Sequence, residues 1–277
     1  MREIKNKICL ITGGTSGIGM ETALELCRLG AKVAITYRNE QKAIETQNFF
    51  EKKCGVKPEI FFCDLSSFVS IRSFVEKFKS EHAKLEVLIN NAGIWETKRV
   101  LSVDGIELNF ATNHLAPFLL TNLLLDLMVA SSPARIINVA SGSHKTAEIN
   151  FDDPEMKEKF NGYKAYGQSK LANILFTKSL SHKLAEKGVS VFCLHPGVVS
   201  TKIFNKMGKL AVGILRPLMI SPEKGARTSV YLATAPQIES LSGSYFSRKK
   251  VVNSSPTSNS IEIADKLWEM SSKYVSI

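Results

Sequence analysis

Ile8-Cys9-Leu10-Ile11-Thr12-Gly13-Gly14-Thr15-Ser16-Gly17-Ile18-Gly19 is the stretch whose reading decides the fold. Ile8–Ile11 is an unbroken apolar run, the pattern of a strand buried on both faces. After Gly19 the apolar residues recur every three to four positions to about residue 29, which predicts a helix over 17–29 with Gly30 as its left-handed C-cap. Glycines at 13, 17 and 19 let the chain turn sharply and let a pyrophosphate come close, facing the free N–H groups and positive dipole end of the helix. A glycine triplet alone fits any tight strand-to-helix turn. Its position between a first strand and a first helix is the context that dinucleotide binding requires. The candidate phosphate-side contacts are Gly13, Thr15, Ser16, Gly17, Ile18 and Gly19. A Walker-type loop is excluded, because no Gly-Lys-Ser/Thr follows the glycines.

Working outward, residues 32–36, 59–63, 86–89, 135–139 and 189–194 are further short apolar runs. Helical patterns such as 67–81 separate them. Strands alternating with helices predict βαβ units and a parallel sheet. The expected fold class is α/β, a single Rossmann-like doubly wound parallel sheet with helices on both faces. A length of 277 residues gives a soft prior near two domains. No linker rich in Pro, Gly or Ser divides the chain, so one domain over 1–277 is expected, with a substrate loop at 200–222 and a last helix at 260–274.

With 44% hydrophobic and 22% charged residues, disordered, collagenous and disulfide-scaffold classes are excluded. The formal net charge is +10, which draws attention to nucleic acid, an anionic membrane surface or a phosphorylated ligand. The basic residues are scattered, and Arg248-Lys249-Lys250 is the one run of three, so nucleic acid is not expected. Five cysteines, Cys9, Cys27, Cys54, Cys63 and Cys193, form no Cys-x-x-Cys pair and read as buried free thiols of a reducing compartment. Neither they nor the histidines have zinc spacing, and no metal site is expected. Met1 to Lys7 holds no signal-peptide core. The greasiest stretch, 115–130, is broken by Pro117, Thr121, Asn122 and Asp126, and falls short of a membrane span. The expected location is the cytoplasm.

The end of the second strand selects the cofactor. An acid there would bond a ribose 2′-hydroxyl, but the chain reads Thr36-Tyr37-Arg38-Asn39. Arg38 can pair with a 2′-phosphate, which favours NADP(H) over NAD(H). The alternative is an ordinary exposed loop arginine. Asp64, with Leu65 beside it, follows the third strand and can bond an adenine amino group or simply cap the next helix.

Asn90-Asn91-Ala92-Gly93 closes the fourth strand. Together with the 12–19 loop and Tyr166-Gly167-Gln168-Ser169-Lys170, it resembles the short-chain dehydrogenase/reductase family over about residues 7–246. His195-Pro196-Gly197-Val198-Val199-Ser200-Thr201, Ser221-Pro222-Glu223-Lys224-Gly225-Ala226, Gly243-Ser244-Tyr245-Phe246 and Leu267-Trp268-Glu269 resemble its retinol-dehydrogenase-like branch. The resemblance implies an NAD(P)-dependent oxidoreductase that interconverts a carbonyl and an alcohol. It implies that Asn91, Ala92, Gly93, Pro196, Gly197, Val199 and Thr201 touch the cofactor with Tyr166 and Lys170. It also implies a homodimer or homotetramer through helices at 105–129 and 163–187. Members of that branch often carry an N-terminal membrane anchor, for which 1–7 offers no counterpart.

Hydride transfer to a carbonyl needs a proton donor, and a tyrosine serves if its pKa is drawn toward neutrality. Tyr166 and Lys170 are four apart and share a helix face. Tyr245 and Lys249 have the same spacing but lie in a strand-like, basic segment, where Tyr245 is expected to be structural. Ser141, at the end of the fifth strand, is the candidate holder of the substrate oxygen, with a helix cap as its plainer use and Ser143 as its rival. Asn113 matches the family's relay asparagine, which kinks a helix and holds a water near the lysine; a buried helix asparagine is the alternative. His195 is expected to be a turn residue.

The 203–220 segment is apolar and basic together. It reads as a lid over a lipophilic, retinoid-like aldehyde, ketone or alcohol, as a packed helix pair, or as a weak membrane-surface contact. The rival class for the whole chain is an NADP-binding redox sensor without turnover.

Overall fold

The computed structural model describes residues 3–200 and 219–277. Its strands are β1 (Ile8–Ile11), β2 (Lys32–Tyr37), β3 (Glu59–Phe62), β4 (Val87–Asn90), β5 (Ala134–Val139), β6 (Val189–His195), β7 (Tyr245–Ser247) and β8 (Lys250–Val251). They lie in the order β3-β2-β1-β4-β5-β6-β7-β8. β1 through β7 are parallel, and only the two-residue edge strand β8 is antiparallel. The order reverses between β1 and β4, so a crevice opens at the carboxyl ends of these two strands, where ligands bind in open α/β sheets.

The α-helices are α1 (Gly17–Arg28), α2 (Glu40–Cys54), α3 (Phe68–Glu81), α4 (Leu108–Ala130), α5 (Gly162–Lys183), α6 (Pro222–Thr234) and α7 (Ile261–Val275). They cover both faces. Leu24 and Leu26 of α1, Phe50 of α2 and Leu232 of α6 share one core with Ile11, Ile35 and Ile89. Phe74 and Phe78 of α3, Phe118 and Leu120 of α4 and Phe176 of α5 share the other with Leu10, Leu88 and Ile136. The alternation of Leu10 and Ile11 to opposite cores is why β1 reads as apolar throughout. The expected doubly wound sheet is therefore observed.

One expectation changes. α4 begins well before the greasy stretch at 115, so it has 23 residues and is long and apolar enough to cross a bilayer by length and composition. Most of it is nevertheless buried within the molecule, where it packs between sheet, α3 and α5. The outer face of α4 and α5, expected as a dimer surface, carries α7. Ala264 and Leu267 pack on Leu171 and Leu175, and Trp268 meets the Phe118 and Phe176 rings at 4.9 and 5.8 Å. His114 of α4 also bonds Ser271 at 2.8 Å in this buried contact.

Four of the five thiols are buried, Cys54 is half-buried and all are free. Burial pushes Cys27, Cys63 and Cys193 up to about 12, so these thiols are unreactive near neutrality.

Candidate active site

One cavity of about 1140 Å³ occupies the crevice above β1 and β4. Its first wall is the turn from β1 into α1. A Cβ on Gly19 would lie 2.4 Å from Asn91 Nδ2 and from the Gly13 carbonyl, so only glycine lets these segments meet. Gly17 has φ +57°, the left-handed region that favours glycine. Thr15, Ser16 and Ile18 line the same wall. The N-cap Ser16 makes no side-chain bond to the first amides of α1. In contrast, α2 to α7 all begin under a side-chain cap. The opening amides of α1 thus lack a side-chain acceptor and face a cavity, the arrangement that receives an anion.

The end of β4 is held to this turn. Thr12 Oγ1 accepts from the Asn91 and Ala92 amides at 3.0 Å, and Asn91 Nδ2 donates to the Thr12 carbonyl at 2.9 Å. Asn91, Ala92 and Gly93 line the cavity as a result. Thr12 and this clamp were not legible as site features, because a threonine at a strand end is common.

Arg38 lines the far wall above β2, and Lys42 lies beside it in the first turn of α2. Lys42 escaped notice in the sequence, although Asn39 as N-cap sets its amide one turn after Arg38. No Asp or Glu appears among the described residues of the cavity wall. Leu65 is part of the wall and Asp64 is not. Asp64 Oδ1 instead accepts from the Ser66 amide at 2.9 Å and hydroxyl at 2.8 Å, which shapes the turn, while Ser67 caps α3. Asp64 therefore neither lines the cavity nor caps the helix, the two uses expected of it, because Ser66 takes its oxygen and Ser67 takes the cap.

The remaining candidates gather at the ends of β5 and β6. Ser141, the N-cap of a short 3-10 turn (Gly142–Thr146), shares a hydrogen bond with Ser143 between their hydroxyls at 3.3 Å, and both line the cavity. Tyr166 and Lys170 lie one turn apart on α5, and Lys170 Nζ is 5.5 Å from the centre of the Tyr166 ring. Lys170 is buried, and its Nζ donates to the Val139 carbonyl at 3.1 Å. Burial pulls its ammonium down to about 8. Burial pushes the Tyr166 phenol up to about 12, against the pull of a hydrogen bond with Ser141. The expected pull toward neutrality comes from the Lys170 ammonium and the oxidised nicotinamide together, and the protein's own groups do not supply it. The protein alone holds Tyr166 as a neutral phenol, because the ammonium sits over the ring and burial outweighs the bond from Ser141.

Asn113 stands behind the wall rather than in it. It occupies a π-helical turn, Ala111–Leu115, which is the kink expected there. Its side chain accepts from the Ile94 amide at 2.8 Å and donates to the Ile94 carbonyl at 2.9 Å and to Ser169 Oγ at 3.0 Å. Its own carbonyl accepts from Asn173 Nδ2 at 2.8 Å. These bonds brace the loop after β4 against α5.

Pro196, Gly197 and Val199 line the cavity, with Gly197 at φ +98°. Thr201 and residues 203–218 of the lid expected at 203–220 lie outside the described residues. Trp95 and Tyr163, missed in the sequence, also line it. The Trp95 ring lies 5.7 Å from the Tyr166 ring at 33°, and its Nε1 donates to the Gly162 carbonyl at 3.0 Å. Among the described residues, Glu59, Glu81 and His82 bring ligand atoms within 4.8 Å of one another on the surface, away from this cavity, with His82 Nε2 already bonded to Glu59 at 2.8 Å.

The cavity fits a dinucleotide: uncapped helix amides and close-approach glycines at one wall, two cations and, among the described residues, no carboxylate at another, and a serine, tyrosine and lysine at a third. The family model for the short chain dehydrogenase matches residues 7–210. Human retinol dehydrogenase 14 is 39% identical over 98% of this chain and 87% of its own length. Human polyprenol dehydrogenase is 39% identical over 96% and 84%. A crystal structure of an uncharacterized protein from Mycobacterium Paratuberculosis superposes with a TM-score of 0.82 at 29% identity, covering 100% of this chain and 96% of that one. The chain belongs to the short-chain dehydrogenase family, in its retinol-dehydrogenase-like branch, and is an NAD(P)-dependent dehydrogenase acting on CH–OH donors.

Proposed function

We propose that the protein is an NADP(H)-dependent reductase of lipophilic aldehydes or ketones, working reversibly on the corresponding alcohols. The observation that carries the reading is the arrangement of charge and proton donors along one cavity. Arg38 and Lys42 stand above β2, Ser141, Tyr166 and Lys170 lie beyond β1 and β4, and no carboxylate intervenes among the described wall residues. A 2′-phosphate suits the paired cations, since guanidinium and phosphate match in geometry. Support for a lipophilic substrate comes from Ile94, Trp95, Tyr163 and Val198 in the wall. The names of the retinol and polyprenol dehydrogenases point the same way.

In this reading the bound nicotinamide supplies the hydride. Ser141 Oγ holds the substrate oxygen, and Tyr166 donates its phenolic proton to that oxygen as negative charge develops there. A phenol kept neutral by burial is the correct starting state for reduction. The Lys170 ammonium then stabilises the phenolate until it is reprotonated. Asn113 acts one layer back, holding Ile94 and α5 in register. We read the whole chain as one catalytic unit, residing in the cytosol, to which its buried free thiols are suited.

The test is a panel of all-trans-retinal, n-decanal and benzaldehyde with NADPH and with NADH. The expected result is oxidation of NADPH by the lipophilic aldehydes, with kcat/KM at least about tenfold above that with NADH. Equal use of NADH would remove the role of Arg38, and NADPH binding without oxidation of it by any member of the panel would favour the sensor reading.

A further inference from the structure

Two histidines lie against the peptide that carries Ser141, and the chemistry above uses neither. His144 is buried on the 3-10 turn. Its Nε2 lies 3.2 Å from the Ser255 amide, a group that can only donate, so Nε2 holds the lone pair. The proton therefore sits on Nδ1, which donates to the Ser141 carbonyl at 2.7 Å. His195, the last residue of β6, is the converse case. The Gly142 amide donates to its Nδ1 at 3.1 Å, so here Nδ1 holds the lone pair. A Cβ on Gly142 would meet the His195 ring at 3.6 to 4.0 Å, which is ordinary contact, so the ring packs directly on this segment.

The Ser141 carbonyl and the Gly142 amide are the two ends of one peptide unit. In a trans peptide they point in opposite directions, so the two imidazoles grip one plane from both sides. We propose that His144 and His195 are positioning residues that clamp the Ser141–Gly142 peptide plane and thereby fix where the Ser141 hydroxyl points. The inference rests on the assignment of Ser141 to the substrate oxygen.

Both imidazoles must be neutral for these bonds, and burial pulls both below the usual range, His195 to about 4. His144 is held in turn by the Tyr245 ring, edge-to-face at 4.9 Å, and by Ser255 on the segment leading to α7. The end of the chain thus reaches the active serine through one imidazole. A clamp of this kind acts on geometry, and small misplacements at a reacting group carry large rate costs.

The experiment compares His195→Leu and His144→Phe alone and combined with Ser141→Ala, assayed with NADPH and the fastest aldehyde of the panel. Each histidine change is expected to lower kcat roughly ten- to a hundredfold, with the KM for NADPH within about threefold of wild type. In the Ser141→Ala background the same changes should cost less than about threefold, because nothing is left to position. His195→Asn, whose Oδ1 replaces the acceptor, and His144→Asn, whose Nδ2 replaces the donor, should recover most of the loss. They also control for folding. Equal losses in both backgrounds, full kcat in both histidine variants, or no recovery with asparagine overturns the clamp. Full turnover by Ser141→Ala alone overturns the assignment of Ser141 and the clamp with it, whereas loss in Ser141→Ala with additive histidine effects sinks the clamp only.

Discussion

Tyr166-Gly167-Gln168-Ser169-Lys170 and Tyr245-Phe246-Ser247-Arg248-Lys249 share a spacing, and the backbone treats them differently. In the first, one turn of α5 brings both side chains to a single face, and the ammonium comes to 5.5 Å from the ring centre. In the second, Tyr245 opens the extended strand β7, while Arg248 and Lys249 form the left-handed turn into β8. Tyr245 points into a core with Ala140, Ile174 and Cys193, and Lys249 is exposed. Burial raises both phenols, but only Tyr166 also has a serine hydroxyl and a cavity beside it. A spacing becomes a chemical pair only through the element that carries it.

The sharpest way to break this comparison is to remove one hydroxyl at a time. Tyr166→Phe should lower kcat by roughly a hundred- to ten-thousandfold, whereas Tyr245→Phe should stay within about tenfold, both read by steady-state NADPH oxidation. A fall in both alike would erase the distinction. Next comes the lysine. Lys170→Met is expected to lower kcat/KM roughly a hundredfold and Lys249→Met to leave it within about twofold, in the same assay. Arg38→Ala tests the far wall, with the KM for NADPH rising about tenfold and that for NADH unchanged. The smallest effect is one of pH. Burial holds the Lys170 ammonium at about 8, so its positive charge is present below that pH and lost above it. NADPH affinity, followed by fluorescence titration, should therefore weaken several-fold as pH rises through about 8. That limb should persist in Lys249→Met and flatten in Lys170→Met.

Much of this molecule can be read along the chain because its signals are local. Four apolar residues, a glycine turn and a helical periodicity that stops at Gly30 specify β1 and α1 before any tertiary contact is known. Arg38, Ser141, Tyr166 and Lys170 stand out because each sits just beyond a strand or one turn apart on a helix. What escaped depends on contacts between distant segments. Lys42 and Trp95 are unremarkable residues until β2 and β4 bring them to one cavity. Asp64 looked free to meet a ligand, and only the position of Ser66 assigns its oxygen to a turn. The burial that raises the Tyr166 phenol likewise belongs to packing and leaves no mark in the local sequence. The docking of α7 on α5 also rests on contacts between residues roughly a hundred positions apart, such as Leu171 and Leu267.

The central claim is that the serine, tyrosine and lysine of this cavity turn a bound nucleotide over rather than merely hold it. A single-turnover experiment addresses it directly: NADPH-loaded protein is mixed with excess lipophilic aldehyde, and the absorbance of the reduced nicotinamide is followed. Wild type should lose that absorbance in proportion to its sites, and Tyr166→Phe should keep it while binding NADPH as tightly. Persistent absorbance in the wild type, or its loss at the wild-type rate in Tyr166→Phe, would contradict the account.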